Sequence, residues 1–126
     1  MARAERFEDL MAWQKARHLT KNVYIVTRRP EFARDYGLSG QMQRASVSTM
    51  SNIAEGCERT GGGEFQHFLS IAKGSNAELR SQLYVAMDVG YMTEDEFTAL
   101  YAAADEVGRI VGGLRSSVQR SRSANQ

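Results

Sequence analysis

The sequence predicts an all-α protein, an antiparallel up-down-up-down four-helix bundle in which each helix buries one apolar face. Three observations support this: apolar residues recur at helical spacing in four segments, no alternating run marks a strand, and the single proline, Pro30, leaves long helices uninterrupted. The predicted helices span about residues 8–27, 39–56, 64–89 and 94–118. We expect a single four-helix bundle domain over residues 1–126, with a flexible tail at 119–126.

The first two helices are placed by their apolar faces and by the residues between them. One face of the first helix carries five residues spaced four and three apart: Ala12, Ala16, Leu19, Val23 and Val26. Pro30 disfavours helical backbone at Arg29, so residues 28–38 are expected to form a connection. Ser39 is a suitable N-cap for the second helix, and Gly56 is placed to end it.

Turn signals bound the third and fourth helices. Gly90 fits the position after a helix where a left-handed residue is required, and Thr93 with Glu96 has the spacing of a capping box. The fourth helix then carries an unbroken apolar heptad pattern. Gly108 and Gly112 lie four apart on one side of it. This spacing indicates either close approach of a neighbouring helix or fraying of the helix beyond Gly112.

Composition limits the function classes. The chain has 126 residues, a net charge of +1 and one cysteine, Cys57, which alone forms neither an intramolecular disulfide nor a zinc site. No apolar run reaches the roughly 18 residues of a membrane span, and the N-terminus lacks a secretory signal. We therefore expect a cytoplasmic protein with no membrane partner.

The glycine run at 61–63 resembles a phosphate-binding loop only superficially. Glu64 follows it where such a loop needs Lys and then Ser or Thr, and no strand precedes it, so we interpret residues 56–63 as a chain reversal. Glu64 and His67 form one Glu-x-x-His motif, but a di-iron bundle needs two. Cys57 has no readable catalytic base. The sequence therefore predicts no catalytic residue, no metal, no cofactor and no enzyme activity.

Several longer motifs resemble a known family. They are FEDLMAWQKA near the start, YGLSGQMQRASVSTMSNIAEG (36–56), FLSIAKGSNAEL (68–79), VGYM (89–92) and the final heptad segment. Together they resemble the bacterial four-helix bundle proteins, also called 23S rRNA intervening-sequence proteins or the S23 family. Members often have proline where this chain has Met50.

The resemblance implies a barrel-like homopentamer of antiparallel four-helix bundles without a known catalytic site. A related branch, the accessory variability proteins of diversity-generating retroelements, binds nucleic acid and a reverse transcriptase through a basic surface. Members of that branch are more basic than this chain. Six residues match motif positions of the family and are interpreted as structural: Asn52, Glu55, Gly56, Gly74, Ser75 and Glu78.

Three functional hypotheses follow. The first is a non-catalytic oligomeric scaffold that binds RNA or DNA electrostatically, with candidate contacts at Arg44, Arg59, Lys73, Arg80, Arg109 and Arg115. The second, favoured by the near-neutral net charge, is an adaptor for a protein partner, such as a nucleic-acid enzyme, without direct nucleic-acid contact. The third is an enzyme with a carboxylate or metal site around Glu55, Glu78 and His67.

Overall fold

The computed structural model describes residues 6–59 and 61–124, and its regular structure there is entirely helical. A 3-10 turn at Phe7–Asp9 precedes five helices. Their bounds are α1, Met11–Thr27; α2, Pro30–Arg34; α3, Tyr36–Glu58; α4, Gly62–Asp88; and α5, Glu94–Ala124. The described residues contain four long helices and no strand, so the predicted all-α class is confirmed.

The four long helices pack in a closed order. α1 contacts α3 and α5, and α4 contacts the same two helices. The core between them consists of fully buried side chains from every long helix, including Leu19, Val23, Met42, Ile53, Phe65, Leu69, Leu79, Leu83, Val107 and Val111. The heptad pattern predicted for the last helix therefore supplies residues to the core of the molecule.

The connection between α1 and α3 differs from the prediction. Residues 28–38 contain a short helix, α2, because Pro30 occupies its first turn, where a proline's missing N–H is tolerated. The N-cap of α3 is Asp35 rather than Ser39, since the Asp35 carboxylate accepts a hydrogen bond from the Leu38 N–H at 3.2 Å. Ser39 lies inside α3, where its hydroxyl donates to the Asp35 carbonyl at 2.9 Å.

The turn between α4 and α5 is as predicted. Gly90 has φ of +87°, in the left-handed region, and its N–H donates to the Met87 carbonyl while the Tyr91 N–H donates to the Ala86 carbonyl. The capping box is also confirmed: the Thr93 hydroxyl accepts from the Glu96 N–H, and the Glu96 carboxylate accepts from the Thr93 N–H.

Gly56 does not end α3, which continues to Glu58. The glycine serves close packing instead, because a Cβ at this position would lie 2.8 Å from the Phe68 Cβ of α4. The connection between Glu58 and Gly62 falls inside the range 56–63 for which the sequence predicts a chain reversal. Thr60 lies outside the described residues.

The last helix is longer than predicted. It continues to Ala124, whereas the sequence predicts an end at 118 and a flexible tail at 119–126. Contacts with the start of α4 explain the extension: Gln119 accepts from Gln66 at 2.9 Å, and Arg122 donates to the Gln66 side chain. Residues 125–126 lie outside the described part of the chain.

Candidate nucleic-acid interface

A groove runs between α4 and α5 and contains three of the six predicted cationic candidates. It encloses about 270 Å³, and we call it the α4–α5 groove. Its lining residues are Lys73, Arg80, Asp105, Gly108, Arg109 and Gly112. The groove therefore contains three cationic side chains and one carboxylate, and its net charge is positive.

Asn76 lies between α4 and α5 and contacts two residues that line the groove, Arg80 and Gly108. It is fully buried, and its amide donates to the Ala104 carbonyl of α5 at 2.9 Å. Its Oδ1 accepts from Arg80 Nε at 3.1 Å, so a buried side chain orients the guanidinium. Gly108 provides the space for this arrangement, because a Cβ there would lie 2.7 Å from Asn76 Oδ1.

The other cations of this face differ in how firmly they are held. Arg109 pairs with Asp105 at 3.2 Å while its side chain remains 74% exposed. Lys73 lies across α5, with Nζ 3.5 Å from the position of a Cβ at Gly112. Within residues 6–59 and 61–124, neither Lys73 nor Arg80 forms an ion pair with a carboxylate. Their charges are therefore available to an anionic ligand.

Arg115 lies farther along the same pair of helices, where its Nε donates to the Ser70 hydroxyl at 2.6 Å. Of the two remaining candidates, Arg44 lies in α3 and Arg59 is the C-cap residue directly after it. Arg59 pairs with Glu55 at 3.0 Å and lies over the Phe68 ring at 5.2 Å. Arg44 is exposed, with its guanidinium beside Gly40. The structure thus gathers four of the six candidates along α4 and α5.

Sequence reasoning missed an aromatic cluster beside the groove. The Tyr84 ring centroid lies 4.8 Å from that of Phe97 and 5.5 Å from that of Tyr101. The neighbouring Tyr101 hydroxyl raises the pKa of Tyr84 above its ordinary value. Two spacings were available as signals: Tyr84 follows Arg80 by four residues, and Tyr101 follows Phe97 by four.

The six residues interpreted as structural occupy varied environments. Ser75 and Ser48 hydroxyls meet at 2.8 Å between α4 and α3, and Asn52 donates to the Ser48 carbonyl at 2.8 Å. Gly56 permits the close approach already described, and Glu55 pairs with Arg59. Glu78 is exposed and accepts from Gln82 at 3.1 Å. Gly74 is exposed, with nothing within 4 Å of an added Cβ, and the structure gives no packing reason for it.

The single Glu-x-x-His motif does not form part of a metal cluster among the described residues. Glu64 and His67, which form the Glu-x-x-His motif, are both exposed. Across the described ranges, no three His, Cys, Asp or Glu side chains cluster closely enough to hold a metal ion. No helix in those same ranges is both long and apolar enough to span a bilayer.

The fold and the groove define a helical bundle protein with a cationic face between its last two helices. The chain belongs to the family of 23S rRNA-intervening sequence proteins, whose model matches residues 8–113. The family resemblance noted in the sequence is thereby confirmed.

One similar solved structure is a protein of unknown function from the S23 ribosomal protein family of Bacteroides thetaiotaomicron. It is 17% identical, with a TM-score of 0.77 over 83% of this chain and 95% of the other. At that identity, the likeness shows the fold alone. No match was found among curated proteins.

Proposed function

We propose that the protein is a non-catalytic oligomeric scaffold that binds RNA or DNA electrostatically through the α4–α5 groove. The observation that supports this most directly is the convergence of Lys73, Arg80 and Arg109 on one groove with a single carboxylate, Asp105. Lysine and arginine side chains that neutralise phosphates release counterions, which provides sequence-independent affinity. The hydrogen bond from Arg80 to Asn76 already restricts the guanidinium in the free protein. Binding a phosphate there therefore costs less conformational entropy.

The proposed bundle is antiparallel, as the sequence predicts. Contacts between α4 and α5 support this, because residues late in one helix meet residues early in the other. Gln66 bonds to Gln119, Asn76 to Ala104, and Tyr84 packs on Phe97. The same reversed order relates α5 to α1 and to the residues that follow α1: Lys15 pairs with Glu106, and Arg29, at the N-cap of α2, pairs with Glu96.

The proposed assembly is a homopentamer. Large aliphatic side chains on the outside of the chain support self-association: Met11, Ile25, Val47, Ile71, Val85 and Val89. Closed symmetry would repeat the cationic groove around a ring, so that weak phosphate contacts reinforce one another on a long nucleic acid. Light scattering coupled to size-exclusion chromatography is expected to give a molar mass of about five times the 14.1 kDa mass of one chain.

A pair of matched double variants tests the groove. Lys73→Glu with Arg109→Glu reverses two groove cations, whereas Lys21→Glu with Arg28→Glu reverses two exposed cations at α1 and its C-terminal end. Both doubles change the net charge equally. Fluorescence anisotropy with a labelled RNA or DNA is expected to show a large loss of affinity for the groove variant and a small loss for the control.

The other outcomes are equally informative. Equal losses in both doubles would show that binding depends on overall charge and not on the groove. Absence of binding by the unaltered protein at low salt would contradict the nucleic-acid function and favour the adaptor. An apolar groove of about 230 Å³ between α1 and α5, lined in part by Ile25, Val26, Leu100 and Ala103, supports that second candidate.

A further inference from the structure

The aromatic cluster and the cationic groove form one continuous surface. Tyr84 follows Arg80 by one turn on α4, and Tyr101 precedes Asp105 by one turn on α5. One turn advances about 5.4 Å along a helix, so the rings lie directly beyond the end of the groove. The aromatic rings and the cations are therefore neighbours along the same pair of helices, α4 and α5.

Tyr84 is exposed although it is held by its neighbours. Its residue surface is 48% accessible, while its ring packs against Phe97 at 4.8 Å and Tyr101 at 5.5 Å between centroids. Phe97 and Tyr101 also pack on each other at 5.5 Å. A ring fixed in this way loses little conformational freedom when a flat ligand stacks on it.

We infer that this surface binds single-stranded RNA or DNA, with phosphates on Lys73, Arg80 and Arg109 and a base stacked on Tyr84. The inference rests on the proposed function and adds the strandedness of the ligand and the residue that selects it. Cations beside a stacking platform are the combination that single-strand-binding proteins use. In a duplex the bases already stack on one another, so their faces are not available to Tyr84.

The test compares one short single strand with a duplex of the same length. A length of about 12 nucleotides is comparable to the site sizes of single-strand-binding domains. The variants are Tyr84→Ala, Tyr84→Leu and Tyr84→Phe. Leucine keeps an apolar contact with Phe97 and Tyr101 but has no ring, whereas phenylalanine keeps the ring. Tyr36→Ala is the matched control, because Tyr36 is 81% exposed and lies at the start of α3.

Loss of the ring is expected to weaken single-strand binding by roughly five- to 150-fold in both the Ala and Leu variants. Duplex binding is expected to change by less than about twofold, because phosphate contacts dominate there. Tyr84→Phe and Tyr36→Ala should bind the single strand as the unaltered protein does. The salt slope should also stay the same in every Tyr84 variant, since no charge is removed.

Three results would overturn the inference. The first is equal binding of the single strand by Tyr84→Leu and the unaltered protein, and the second is an equal loss on single strand and duplex. The third is a change of oligomeric mass in Tyr84→Leu, which would assign this face to a second copy of the chain. In each case a selective loss in the Lys73/Arg109 double variant would still support the proposed function. If the unaltered protein binds neither the single strand nor the duplex, both the inference and the proposed function are overturned.

Discussion

Asn76 and Arg80 form a hydrogen bond one turn apart on α4, from Arg80 Nε to Asn76 Oδ1 at 3.1 Å. Asn76 is fully buried and also donates to the Ala104 carbonyl, so it joins α4 to α5 while orienting Arg80. A single buried amide therefore links the stability of the helix pair to the geometry of its cationic groove. Buried polar groups with both partners satisfied define such an arrangement more closely than apolar contacts do.

Replacing Asn76 with leucine should lower the free energy of unfolding by about 1–3 kcal/mol, because two hydrogen bonds are lost in a buried site. Chemical denaturation measures this. Gln119→Ala is the matched control, since it removes an exposed hydrogen bond to Gln66 between the same two helices and should cost less than about 0.5 kcal/mol. Similar costs for the two variants would contradict the role given to Asn76.

Gly108→Ala should destabilise the protein although alanine favours a helix by about 1 kcal/mol. The added Cβ would lie 2.7 Å from Asn76 Oδ1, which is held by Arg80, and such overpacking costs about 1–3 kcal/mol. Gly113→Ala on the same helix is the control. Nothing lies within 4 Å of its added Cβ, and it should stabilise by about 0.5–1 kcal/mol.

A double-mutant cycle makes the Gly108 prediction specific. In an Asn76→Ala background the obstructing side chain is absent, so Gly108→Ala should become neutral or stabilising. Thermal or urea unfolding of the four proteins gives the coupling. If Gly108→Ala costs the same in both backgrounds, its penalty does not arise from Asn76.

Asp35→Ala should destabilise the protein by about 0.5–2 kcal/mol, because Asp35 caps α3 through the Leu38 N–H. The same carboxylate accepts from the Tyr91 hydroxyl at 2.9 Å, which raises the pKa of Tyr91. Asp35→Asn keeps a side-chain oxygen for the cap and should lose less. Tyr91→Phe removes only the second bond and also serves as a comparison. Equal losses for Asp35→Ala and Asp35→Asn would show that the cap contributes nothing.

Glu96 makes part of the stability dependent on pH. Hydrogen bonds from Arg29 and from the Thr93 N–H lower the pKa of Glu96 from 4.5 to about 2. A carboxyl group whose pKa is lower in the folded state stabilises above its unfolded value, and this contribution is lost as the pH falls from about 4.5 towards 2.

Glu96→Gln isolates that charge, because glutamine can still complete the capping box. The variant should be less stable than the unaltered protein at pH 7, by under about 1 kcal/mol since the ion pair is partly exposed. The difference should shrink as the pH falls through the acid range. Urea unfolding at several pH values measures it, and a difference that stays constant from neutral to acid pH would contradict the assignment.

The long helices and the turn before α5 could be predicted because their signals are local. A capping box is contained within four residues, and the left-handed position of Gly90 depends on the turn that follows one helix. Apolar periodicity likewise requires only one segment. These features can therefore be predicted from the sequence without knowledge of the tertiary structure.

The extension of α5 and the start of α3 could not be predicted, because each depends on contacts or helices outside the local segment. α5 continues past residue 118 through contacts with Gln66, which lies more than fifty residues earlier, and no local pattern reveals that pairing. At α3, Ser39 and Asp35 are both good caps by residue type. The choice of Asp35 follows from α2, which begins at Pro30 in a segment that the sequence predicts to be a connection.

The candidate site was predicted by residue type but not by arrangement. The sequence shows where each arginine and lysine lies along its own helix. It does not show that Arg80 and Arg109 share a groove, because the register between α4 and α5 is set by packing. The aromatic cluster has the same origin, since Tyr84 meets Phe97 only across α4 and α5. Site residues on different helices become visible once that register is known.

Electrostatic binding of nucleic acid is tested most directly by the affinity of the unaltered, size-selected protein for RNA or DNA across a range of salt concentrations. The logarithm of the binding constant should fall linearly with the logarithm of salt concentration. The slope should be about −0.7 per phosphate neutralised on a single strand. Absence of binding at low salt, or binding that does not weaken as salt rises, would contradict an electrostatic nucleic-acid scaffold.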